Sequence, residues 1–160
     1  MQALVDKLAE KLINKNMMLV TAESCTGGLL ASALTKKAGA SAYFERGFIT
    51  YSNESKTEQL DVHENIILLH GAVSDETAEA MAIGALKHSN AQISVSITGV
   101  AGPEGGSADK PVGTVYFGFS VAGGSSVSTR NLFAGSREDI QKQATMSALQ
   151  AIITIMDKQP

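Results

Sequence analysis

The chain has 160 residues, 44% of them apolar and 18% charged, with a net charge of −3 and a single cysteine. That length suits one domain with a sizeable core, and the composition excludes intrinsic disorder and, with no basic run, a nucleic-acid-binding stripe. One cysteine excludes an internal disulfide framework, and no stretch reads as a signal peptide or membrane span, so a cytoplasmic protein is expected.

Leu4, Val5, Leu8, Leu12 and Ile13 recur at helical spacing and predict a helix over 2–15. Residues 17–22 read as a buried strand, and a helix follows to about Lys37. Between them lies ESCTGG, residues 23–28. Such a turn, at the carboxyl end of a strand, is where open α/β sheets bind ligands. Ser24 reads either as a helix N-cap or as a nucleophile. The N–H groups at Cys25, Thr26 and Gly27 suit an anion or a developing oxyanion. Cys25 competes as nucleophile, and reads equally as a small buried hydrophobe. Glu23 is a candidate base, ligand or supporting carboxylate. The last is preferred, because a carboxylate near Lys56 or backbone N–H groups would order the turn. Gly28 is grouped with the substrate-binding residues.

Residues 46–52 predict a second strand. Ser52 or Asn53 then caps a short helix carrying Lys56, and Asn53 is a substrate-binding candidate. A lysine buried at this edge loses its proton more easily and becomes a base for Ser24; a solvated helix lysine is the alternative. HENIILLHG predicts a short helix stopped at Gly71, and Ser74 opens a helix running to His88. His63, His70 and His88 lie near helix ends, outside any hydroxyl-rich setting, which argues against a Ser-His-Asp system.

Strand 93–99 runs into SITGVAGPEGGS, where Gly99, Gly102, Gly105 and Gly106 permit close approach to a ligand. The loop lacks the P-loop lysine. Residues 113–122 and 127–133 predict an antiparallel hairpin, and Ser136 caps a final helix over 137–157. Arg137, in its first turn, reads as a phosphate grip or as a surface partner of Glu138 or Asp139. No Cys/His/Asp cluster has metal-ligand spacing, so no metal is expected. The order of elements predicts an α/β fold: a three-layer α/β/α sandwich around a mixed, mostly parallel sheet with a late antiparallel hairpin.

The stretches TAESCTGGLLA, FERGFITYSNESK, HGAVSDETAEAMA, SITGVAGPEGGSADKPVGTVY and QATMSALQ together resemble the CinA C-terminal domain family, over nearly all 160 residues. Stand-alone members of that family are nicotinamide mononucleotide deamidases. The resemblance implies hydrolysis of the carboxamide of nicotinamide mononucleotide to nicotinic acid mononucleotide and ammonia, in pyridine-nucleotide salvage and without a cofactor. It implies Ser24 as nucleophile and Lys56 as base, with Tyr51 and Thr98 in support. The loop 99–107 and Arg137 would hold ribose and phosphate. Larger family members carry a further N-terminal domain, whose activities are not carried over. The implied partner is this small substrate, with no nucleic acid or membrane, and a homodimer is allowed for. Two other readings stand beside it: a non-catalytic nucleotide-binding or competence-linked interaction module, and a hydrolase built on Cys25.

Overall fold

The computed structural model describes residues 1–158. Its elements are α1 (Gln2–Asn14), β1 (Leu19–Glu23), α2 (Leu29–Thr35), β2 (Phe44–Ile49), α3 (Asn53–Leu60), α4 (Glu64–His70), α5 (Asp75–Lys87), β3 (Ile93–Gly99), β4 (Thr114–Val121), β5 (Ser126–Leu132) and α6 (Arg137–Lys158). A 3-10 turn, Ala40–Ala42, leads into β2 and has no counterpart among the predicted elements.

The sheet order is β2-β1-β3-β4-β5. β1 pairs parallel with β2 and β3, whereas β3–β4 and β4–β5 are antiparallel, so β4 alone runs against the rest. Ile93, Val95 and Ile97 of β3 and Val115, Phe117 and Phe119 of β4 pack with the buried faces of α1, α2 and α6. The intervening Ser94, Ser96 and Thr98 are just as buried. Their hydroxyls donate to backbone carbonyls of the covering segment: Ser94 to Ala82 at 2.7 Å, Ser96 to Ala78, and Thr98 to Ala72 at 2.7 Å. An alternation that elsewhere marks a half-solvated strand here belongs to one covered on both sides. Gly118 makes the close approach possible, since a Cβ there would lie 2.1 Å from the Ala78 carbonyl oxygen. Val20, Ala22, Leu60, Val62, Met81 and Ala85 complete the packing on this face. The result is the expected α/β/α sandwich.

Several boundaries differ from the sequence reading. β1 starts two residues late because Asn16 takes a left-handed turn (φ 52) and the Met17 amide still bonds back to Leu12 O at 2.9 Å. β2 stops at Ile49 because the next three carbonyls turn toward Lys56. α2 starts only at Leu29, after Gly27 (φ +57) and Gly28 (φ +98). Ser52 caps α3, its Oγ accepting from the Ser55 amide at 3.1 Å. Ser136 and Asp139 bond reciprocally at the start of α6, amide to hydroxyl at 3.2 Å and amide to carboxylate at 2.9 Å.

Candidate active site

The end of β1 builds the site. The Ser24 amide donates to Ile97 O at 2.9 Å, and the Gly27 amide returns to Ser24 O at 3.1 Å, closing a turn over Cys25 and Thr26. Beneath it Glu23 is fully buried. Its carboxylate accepts from Thr26 Oγ1 at 2.8 Å, from the Leu30 amide at 2.9 Å and from the Ala31 amide at 3.0 Å. Glu23 is thus the preferred supporting carboxylate and not a base, and its candidacy as a substrate-binding ligand is corrected. It also fills the start of α2 that an anion would have needed, which corrects that expectation. The Gly27 amide is likewise committed to the turn, whereas the Cys25 and Thr26 amides have no backbone acceptor among the described residues.

Lys56 reaches in from α3 and is 1% exposed. Its Nζ lies 3.1 Å from Ser24 Oγ, 2.9 Å from Thr50 O, 3.3 Å from Tyr51 O and 3.4 Å from Ser52 O. Burial pulls the amine below the ordinary lysine value of 10.5, with Cys25 and Glu54 acting weakly the other way. A neutral amine has two N–H groups and one lone pair. With the N–H groups given to the nearest carbonyls, the lone pair faces the Ser24 hydroxyl, the geometry a general base requires. Cys25 is different: burial pushes its thiol up to about 12, so it stays protonated near neutrality and is a poor nucleophile.

Ser24, Cys25, Tyr51, Asn53, Lys56, Thr98, Gly99, Gly102, Gly105 and Arg137 line one cleft of about 310 Å³. Arg137 spans it, donating from Nη1 to Gly102 O at 2.8 Å and from Nη2 to Tyr51 Oη at 3.1 Å. Glu138 pairs with Lys142 at 2.9 Å, and Asp139 caps its own helix. Thr26, Gly27, Gly28 and Gly106 do not line the cleft. Gly28 sits against Ile49 and Gly106 against Val112, so both serve the loops' own packing. Ala72 and Val73 line the cleft without having been predicted, whereas Glu104 belongs to the loop 99–107 expected there. The first two are small residues in an unremarkable linker, and nothing local marked them. The histidines lie elsewhere: His63 caps α4, His70 is placed beside Glu76, and His88 bonds Asp61. A larger cavity of about 410 Å³ between α3 and α4 shares Asn53 but has no nucleophile–base pair, which makes the smaller cleft the candidate site. Among the described residues no group of His, Cys, Asp and Glu is arranged to hold a metal ion, and no helix is long and apolar enough to cross a membrane.

A family model for the CinA C-terminal domain matches residues 1–156. The chain is 48% identical over 149 residues to the nicotinamide-nucleotide amidohydrolase PncC of Escherichia coli (strain K12), covering 93% of this chain and 90% of that one. It is 49% identical over 144 residues to a CinA-like protein of Mycolicibacterium vanbaalenii, covering 90% of this chain and 34% of the longer relative. The fold superposes on the crystal structure of competence/damage inducible protein CihA from Agrobacterium tumefaciens with a TM-score of 0.94 at 39% identity, over 98% of this chain and 95% of the other. For competence damage-inducible protein A from Klebsiella pneumoniae the TM-score is 0.95 at 36% identity, over 99% and 98% of the two chains.

Proposed function

This chain belongs to the CinA C-terminal domain family, and from that premise we propose that it hydrolyses the carboxamide of nicotinamide mononucleotide to nicotinic acid mononucleotide and ammonia. The observation that carries the proposal is the buried Lys56 amine 3.1 Å from Ser24 Oγ.

The neutral amine takes the Ser24 proton as Oγ attacks the amide carbon. The Cys25 amide, which has no backbone acceptor among the described residues and belongs to a residue lining the cleft, is the turn's donor for the oxyanion that forms. Collapse breaks the carbon–nitrogen bond, and Lys56 returns its proton to the leaving ammonia. Water then attacks the Ser24 ester with Lys56 again as base, giving the carboxylate and free serine. The positive pyridinium ring makes the carbonyl more electrophilic. Arg137 uses one N–H on Gly102 O and one on Tyr51 Oη, which leaves further donors for the distant phosphate. Binding there holds the amide for attack.

The test is release of ammonia and nicotinic acid mononucleotide from nicotinamide mononucleotide, followed by soaking the substrate into Ser24→Ala crystals. Stabilisation by the mononucleotide with no product after hours would instead identify a non-catalytic binding module.

A further inference from the structure

Gln141 lies one helical turn beyond Arg137 on α6 and shares its face. Its Nε2 donates to the Cys25 carbonyl at 2.8 Å, across 116 residues of sequence. That carbonyl belongs to the central peptide of the Ser24–Gly27 turn, whose other side carries the Thr26 amide. The neighbouring turn carbonyls are held locally, Ser24 O by the Gly27 amide at 3.1 Å and Thr26 O by the Leu29 amide at 3.0 Å. Cys25 O is the one gripped from outside. Arg137 meanwhile holds Gly102 O and Tyr51 Oη. The first two turns of α6 therefore tie the nucleophile turn, the glycine loop and the lysine-bearing segment into one frame.

We infer that Gln141 is a positioning residue, fixing the Cys25–Thr26 peptide so that the Ser24 hydroxyl and the Cys25 amide, both of residues that line the cleft, meet a substrate held by Arg137. Its kinetic consequence rests on the amidase reading; its mechanical consequence does not. Loosening a near-attack geometry lowers the rate of chemistry while leaving ground-state binding in place.

The test compares wild type with Gln141→Ala and Gln141→Glu, the latter similar in shape but setting an acceptor where the donor was. In both, kcat for nicotinamide mononucleotide should fall about tenfold or more while KM stays within about twofold. A second readout does not depend on catalysis. Cys25 is the chain's single cysteine and is buried, so iodoacetamide should modify it slowly in the wild type. Releasing the turn should speed that reaction severalfold. Gln143→Ala is the control, because Gln143 caps only Ala134 O and Asp139 O of its own helix start. Equal acceleration in that control assigns the effect to general loosening of α6 and overturns the inference. Unchanged alkylation, unchanged kcat in an active enzyme, or a change in KM alone also overturns it. If wild type releases no ammonia the amidase reading fails, yet faster alkylation confined to the Gln141 variants still upholds the clamp.

Discussion

Two ionisable side chains are buried at the carboxyl end of β1, and the fold uses them in opposite ways. Glu23 meets α2 on one side of the sheet, and every bond it makes there is to the scaffold. Lys56 enters from α3 on the other side and finds carbonyls for its N–H groups plus one hydroxyl, Ser24. A buried polar group whose partners fill its bonding capacity becomes structural. One left a single proton-exchanging neighbour becomes reactive.

The sharpest way to break this contrast is to remove the pair proposed to be catalytic. Ser24→Ala and Lys56→Met should each reduce ammonia release by about a thousandfold or more, with the fold retained by circular dichroism. Glu23→Gln should act first on stability. It leaves a helix-start amide facing an N–H group, a loss of about 1–3 kcal/mol, or roughly 2–10 °C in Tm. A Glu23→Gln protein with unchanged Tm would mean that the carboxylate does not hold the turn.

The pH dependence separates the two groups further. Because the folded Lys56 pKa is lowered below 10.5 by burial, kcat should rise with pH through a midpoint under that value. In the window between the folded value and 10.5 the unfolded chain binds more protons, so the Lys56 contribution to stability improves as pH rises. Any Tm advantage of Lys56→Met over wild type at pH about 6 should therefore shrink toward pH about 10. A parallel pair of melting curves would argue for a permanently charged amine. The smallest effect belongs to Cys25→Ser, expected to keep activity within about fivefold, since its protonated, buried thiol takes no part in proton transfer. A dead Cys25→Ser beside a live Ser24→Ala would reverse the nucleophile assignment.

Much of this was legible in the chain. The helix of Leu4, Val5, Leu8 and Leu12, the hairpin of β4 and β5, the stop at Gly71 and the starting cap at Ser136 follow from local periodicity and capping, and they appear as read. So does the convergence of Ser24, Lys56, Thr98 and Arg137 on one cleft, because each ends or follows a strand, or lies in the first turn of a helix, at the carboxyl end of β1 and β3. What was not legible depends on partners far along the chain. Glu23 could be read as a support for the turn, but which amides it takes, those of Leu30 and Ala31, is decided by α2 closing beneath it. The solvent-like alternation of Ser94 and Ser96 is decided by α5 lying on it. Gln141, one polar residue among several on a long helix, acquires meaning only once the helix start is packed beside Cys25.

The hydroxyls on β3 have one more consequence. Two strand residues advance about 6.7 Å and four helix residues about 6.0 Å, so Ser94–Ala82 and Ser96–Ala78 mesh like a rack and pinion of nearly equal pitch. Ala72, held by the Thr98 hydroxyl, and Val73 precede α5 and line the cleft, so the seating of α5 on β3 also places that wall of the site.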